Sequence, residues 1–360
     1  MMNPSDLIPA ADAIPAPAVL FLLLDNLLFL GHLLLVNLVV GGSLITLFSP
    51  ASGGRSDAGE GAAILGRKLP LFVPFAITLG VAPLLFVQVI YGHFFYSSSV
   101  LMAVYWIAVI PGLILAYYGT YIHARRREGA PRLARAALAL AAGLFLGIAF
   151  AYVNNMSLMV QPSRWGGYFK NRSGTLLNLD DPALAPRYLH FVAASVAVAA
   201  LLLAVLSARR SAANPGATAS CTKRSLRIFA GATGVQMAAG LWFLLALPVP
   251  VRSCFLGQDP IRTGVLWLGV LSGIGALVTA WQGKLRPTLV QLGITLVLMV
   301  ATRDGLRSAY LRPHFDLSQL KLAPQYDVLF LFLVVLLAGL AIMAYMVRLA
   351  FAPGGKGGAA

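Results

Sequence analysis

The residues of this 360-residue chain that could do chemistry are five histidines and a small set of acids and arginines set among apolar runs. His32 lies inside the run Ala18 to Phe48, AVLFLLLDNLLFLGHLLLVNLVVGGSLITLF, with Asp25 and Asn37 on either side. An imidazole surrounded by hydrocarbon is costly unless it is hydrogen-bonded or ligated, so an ionisable residue in such a run is a functional-site hypothesis. His190 opens a second run, RYLHFVAASVAVAALLLAVL, four residues after Pro186 and so about 6 Å into it at 1.5 Å per residue. The chemistry open to both is ligation of a metal through a neutral ring nitrogen. The competing reading for any single transmembrane histidine is a hydrogen bond to a neighbouring helix. His93, between Tyr91 and Tyr96, reads equally well as an ordinary interfacial residue. His123, next to Arg125, Arg126 and Arg127, reads as an interfacial anchor, and His314 as a solvated loop residue.

The rest of the sequence narrows which metal. There is no HExxH, no cysteine cluster and no dense carboxylate set, so a haem iron fits better than a bare ion. Haem propionates need cations or donors near the membrane surface, and Arg164, Arg187, Arg303, Arg307 and Arg312 all fall on one side of the expected topology. Any one of these arginines taken alone could equally snorkel at a helix end. No Cys-x-x-Cys-His occurs, which excludes a covalently attached c-type haem. Cys221 and Cys254 fall in loops on opposite membrane faces and cannot pair with each other.

These residues must be positioned by helices. With 59% hydrophobic and 11% charged residues and a mean hydropathy of +0.82, the chain needs lipid as its solvent. Runs of about 20 apolar residues predict nine spans, at 18–48, 70–95, 98–123, 133–160, 186–207, 225–248, 262–281, 287–303 and 326–350. The expected fold is an all-α polytopic membrane bundle. It comprises a 1–17 periplasmic segment, an 18–350 membrane domain and a disordered cytoplasmic tail over 351–360. The first 17 residues hold Asp6 and Asp12 but no Lys or Arg, so they lack the basic start of a secretory signal. An N-terminus outside and a cytoplasmic C-terminus put most of the 27 basic residues in cytoplasmic connections, and the net charge of +15 reads as that topology signal. Nucleic-acid binding is not indicated, because no basic face with stacking aromatics is present. The outer connection Gln161 to Arg187, with Trp165, Tyr168 and Phe169, suits an interfacial lid, and a second long one is expected from Arg303 to Asp327. No internal repeat of convincing length is visible.

Taken together, these stretches resemble subunit I of the cytochrome bd quinol oxidases. The first span is similar to the family's long apolar first helix, whose single histidine, here His32, ligates a high-spin b haem. RYLHFVAAS resembles the family helix that opens with F-x-H-T, whose histidine, here His190, ligates the low-spin b haem. NNMSLMVQPSRWGGY is similar to N-x-W-M-Q-x-P-x-G-Y, with Asn155, Met159 and Pro162 as counterparts. TRDGLRSAY resembles T-E-x-G-R-Q-P-W, which makes Asp304 and Arg307 the counterparts of an acidic residue and an arginine serving the high-spin haem. The likeness covers essentially the whole chain.

The chain also departs from the family. The family's large quinol-binding loop is reduced to PVPVRSCFLGQDPIR, span three carries no Asp or Glu, and span seven has no Met for the second low-spin ligand. His93, Met237 or Met299 could substitute for that ligand, or the iron could stay five-coordinate. Oxygen reduction consumes protons that need ionisable relays in hydrocarbon, and few beyond Asp25, Asp304 and Asp327 are present. The resemblance therefore implies a haem b-binding electron-transfer subunit of a bacterial inner membrane. It would hold one or two haems, interact with a quinone, and pass electrons to an outer-face partner such as a periplasmic c-type cytochrome. A second membrane subunit is implied, and Arg187, Asn155, Met159, Asp304 and Arg307 are expected near haem. Two other readings stand beside this one: a divergent terminal quinol:oxygen oxidoreductase subunit, and a haem-free transporter or assembly factor.

Overall fold

The computed structural model describes residues 8–49, 57–209 and 215–351. The helices follow in order as α1 (Ala18–Phe48), α2 (Asp57–Leu101), α3 (Ala103–Arg126), α4 (Pro131–Met159), α5 (Leu184–Ala208), α6 (Pro215–Ala246), the short α7 (Val249–Ser253), α8 (Pro260–Trp281), α9 (Leu285–Leu311) and α10 (Tyr326–Phe351). Among the described residues there is no strand. Eight helices, all but α7 and α10, are long and apolar enough to cross a membrane. The ninth expected span is α10, 26 residues long, in which Tyr326–Ile342 forms a shorter apolar stretch. Lipid dictates this outcome, because every backbone group in hydrocarbon needs an internal partner and a helix supplies one locally. Of the tail expected over 351–360, only Phe351 is described, as the last helical residue; the remainder, like residues 1–7, lies outside the described residues.

Three boundaries differ most from the sequence expectation: α6 is helical from Pro215 rather than from residue 225, so Cys221 is a buried helix residue and not a loop residue, and two others differ for physical reasons. α2 begins at Asp57 rather than at residue 70 and contains Pro70, Pro74 and Pro83. Each proline removes one backbone donor, but an apolar surround offers no competing partner, so the helix persists through all three. The chain breaks helical geometry later, at Tyr91 (φ −121°, ψ 31°). α9 runs on to Leu311, so Arg303, Asp304 and Arg307 are helical residues rather than members of a loop. The ion pairs described below compensate their charges inside the bundle.

The packing contains a repeat that the sequence hides. α1 packs on α2, α2 on α3, α3 on α4 and α1 on α4; in the same order α5 packs on α6, α6 on α8, α8 on α9 and α5 on α9. The two four-helix sets meet along α1 and α5. Gly41 makes that contact close: a Cβ there would lie 1.9 Å from the Ser195 carbonyl oxygen. Next to it the Ser195 hydroxyl donates to Asn37 Oδ1 at 2.9 Å. The repeat is hard to see in the sequence because few residue types are shared beyond the helix positions.

At one end of the bundle the chain is tied down by backbone. The Ile14 N–H donates to the Lys321 carbonyl and the Ala323 N–H donates to the Ile14 carbonyl, both at 2.9 Å, so the segment before α1 lies along the segment before α10. The long connection between α4 and α5 is also fixed rather than loose. Its buried Asp181 accepts from Ser157, from Gln161 at 2.9 Å and from the Ala183 N–H at 3.0 Å, and the Asn178 N–H donates to Asn154 at 3.0 Å. It is a strut across helix ends, where the sequence suggested a lid. The short α6 to α8 connection forms α7 and one π-helical turn, Cys254–Gln258, with Gly257 at φ 117°. Cys221 and Cys254 are both free.

Candidate functional site

His32 and His190 sit in the same local arrangement, one in each four-helix set. His32 Nδ1 lies 2.8 Å from the Ala76 carbonyl on α2, and His190 Nδ1 lies 2.9 Å from the Gln236 carbonyl on α6. A carbonyl can only accept, so in both rings the proton resides on Nδ1 and the Nε2 lone pair is the one available to a metal. One turn beyond each carbonyl is a glycine on which the ring rests. A Cβ on Gly80 would come within 2.5 Å of His32 Cε1, and one on Gly240 within 2.9 Å of His190 Nδ1. Both side chains are half-buried. His32 is five residues before Asn37, and His190 five before Ser195, so the hydrogen bond between those two sets the rings at one level of the bundle.

A group of charges lies beyond His32 toward the same end. Asp25 is fully buried on α1 and forms ion pairs with two α9 arginines, Arg307 at 3.3 Å and Arg303 at 3.6 Å. Arg307 is itself buried, lies 4.0 Å from Asp304 and stacks over the Tyr91 ring at 5.0 Å. Arg303 covers Phe29 at 3.7 Å, and the Phe29 ring centroid is 6.4 Å from that of His32. Two acids and two arginines balance in charge, but their hydrogen-bonding capacity is not used up. Asp25 Oδ1, Asn26 Oδ1, Asp304 Oδ1, Arg303 Nη1, Arg307 Nη2 and the Tyr91 hydroxyl are buried and make no hydrogen bond among the described residues. The sequence marks Asp304 and Arg307 as a pair and Asp25 as an acid flanking His32; the fold joins all three.

The other residues singled out from sequence are placed elsewhere. His93 lies 3.9 Å from the exposed Asp12 carboxylate, at the strap before α1. Met299 packs on α8, where its methyl carbon would be 2.3 Å from a Cβ on Gly269. Met237 is half-buried on α6, next in sequence to Gln236. Asn155 is buried between α2, α3 and α4; in the orientation that its neighbours favour, its amide oxygen accepts from the Trp106 indole N–H at 2.8 Å. Met159 is fully buried in the apolar cluster with Val87, Tyr91 and Phe94. Arg187 stacks over Phe243 at 4.9 Å. His123 is buried at the opposite end, its Nδ1 3.1 Å from the Ala134 carbonyl and its ring on Gly66, where a Cβ would lie 2.8 Å from Nε2.

Gly80, Gly240 and Gln236 were not singled out from sequence. A signal for them exists: His32 and Ala76 are 44 residues apart, His190 and Gln236 are 46 apart, and a glycine follows four residues later in both cases. No protein-family model matches the chain, and no curated protein matches it.

Proposed function

We propose that this chain is a haem b-binding membrane subunit, similar to cytochrome bd oxidase subunit I, that passes electrons between the quinone pool and an outer-face partner. The observation that carries the reading is the duplicated histidine arrangement, in which a backbone carbonyl holds the Nδ1 proton and a glycine lets the ring lie flat against the neighbouring helix. Such a partner fixes the tautomer and raises the basicity of Nε2, as is usual for metal-bound histidines. Among the described residues no group of three His, Cys, Asp or Glu could hold a metal ion. A bare ion would need such a group, whereas haem brings four ring nitrogens and asks only for an axial imidazole.

The residues fit that group. His32 and His190 would supply Nε2 to the iron, and the leftover donors of Arg303, Arg307 and Tyr91 suit a carboxylate such as a haem propionate. Bound haem would supply a one-electron couple whose potential follows from axial ligand and burial. The chain's own part is to hold the Nδ1 protons, orient the rings at one level and keep compensating charge beside His32. Partners in this reading are the bilayer, a second membrane subunit and a periplasmic c-type cytochrome, in a bacterial inner membrane. A reduced-minus-oxidised spectrum of the purified protein should show a b-type band; no such band in the protein as isolated from a haem-replete membrane would overturn the proposal.

A further inference from the structure

The two histidine supports differ at the residue whose carbonyl holds the ring, and that residue decides whether the ring is free. On α2 the residue whose carbonyl holds His32 is Ala76, and His32 Nε2 makes no hydrogen bond among the described residues. On α6 it is Gln236, whose carbonyl holds His190 Nδ1 at 2.9 Å while its side-chain Nε2 stands 3.4 Å from His190 Nε2. With the proton fixed on Nδ1, the second contact has only one sense: the amide N–H donates to the Nε2 lone pair. One residue thus closes on both ring nitrogens of His190. A methyl group at the same place, as in Ala76, cannot reach across the ring.

We infer that Gln236 is a specificity-determining residue that caps His190, so that a metal reaches this histidine only by displacing the Gln236 amide, while His32 is open. The cap occupies the lone pair that coordination requires, and the geometry makes the two sites unequal although their helices and glycines match. Loading would then proceed first at His32. Once displaced, the amide would be free to turn toward the bundle or the incoming ligand, its backbone carbonyl still holding Nδ1. The consequence for haem rests on the function proposed above; the cap itself does not.

The cap can be tested on the full-length protein in detergent, prepared without haem, by the rate at which diethyl pyrocarbonate acylates each histidine, read residue by residue by mass spectrometry. Acylation needs a free imidazole lone pair. His190 should react more slowly than His32, by up to about tenfold for a hydrogen bond of ordinary strength. Gln236→Leu, which keeps the side-chain volume without the donor, and Gln236→Ala should both speed the acylation of His190 and leave His32 unchanged. Ala76→Gln should slow His32. Equal rates for His32 and His190 in the unaltered protein, or a His190 rate that neither Gln236 variant changes, would overturn the inference. Haemin titration of the same preparations separates the two ideas. If acylation follows Gln236 but no haemin binds, the cap stands and the haem reading falls. If haemin binds but acylation ignores Gln236, the reverse holds.

Discussion

The α1–α2 and α5–α6 pairs build the same histidine support and surround it with different chemistry. Beside His32 lie four charged groups, with Asp25 fully buried; among the described residues the ring of His190 takes its polar contacts from Gln236. The difference follows from length. With the rings at one level, α1 reaches roughly 12 Å further past its histidine than α5 does, and Asp25 lies on that extension. The level that Asp25 occupies on α1 corresponds on α5 to Ala183, the N-cap, where the chain already turns into the strut. A repeated scaffold thus fixes two rings, and one extended helix end gives His32 alone of the two the buried, ion-paired Asp25.

The largest effect should come from breaking the charged side. Asp25→Ala takes the shared counter-ion from the buried Arg307 and the half-buried Arg303, which should cost about 3–5 kcal/mol and lower the thermal unfolding midpoint in detergent far more than Gln236→Ala does on the other side. Next comes the seam between the two sides. Gly41→Ala would press a methyl into the Ser195 backbone, which cannot swing away as a side chain could, so a loss at or above about 3 kcal/mol is expected. Gly80→Ala and Gly240→Ala sharpen the comparison directly. Each should cost about 1–3 kcal/mol and shift only its own ring, visible as a perturbed signal from one histidine in nitrogen-15 spectra. Equal perturbation of both rings by either variant would mean that the two sites are not independent.

The smallest effect is expected away from both sites, at the start of α8. Asp259 caps this helix, accepting from the N–H groups of Arg262 at 3.0 Å and Ile261 at 3.1 Å. The Arg262 backbone N–H, followed by its guanidinium charge, holds the carboxyl below its ordinary value. A depressed folded value means stability that is present above the unfolded carboxylate value of about 3.9 and lost as pH falls through the folded one. Asp259→Ala should therefore lower the unfolding midpoint slightly at pH 7, with the difference from the unaltered protein shrinking toward pH 3.

Much of this was legible in the residues. The apolar runs were enough to place the membrane helices, because lipid leaves the backbone few other options. His32 and His190 stood out because an imidazole in such a run needs a partner. What could not be read was pairing across helices: Asp25 gave no hint that its partners stood at Arg303 and Arg307, since a one-dimensional spacing rule reaches only one or two turns along the same helix. The repeat escaped for a related reason, as it lives in the order of helix packing and in glycines whose role shows only when a ring lies on them. Asn155 drew notice as part of a motif, yet its surroundings, Trp106 and the serines at the end of α2, tie helix ends together.

The most direct test of the central claim is the haem content per chain of the purified protein and of two variants, by pyridine haemochrome. Under the proposed function His32→Ala and His190→Ala should each lose about one haem relative to the unaltered protein and still insert as folded helices, since each would remove one proposed axial imidazole. Full haem content in both variants would contradict it.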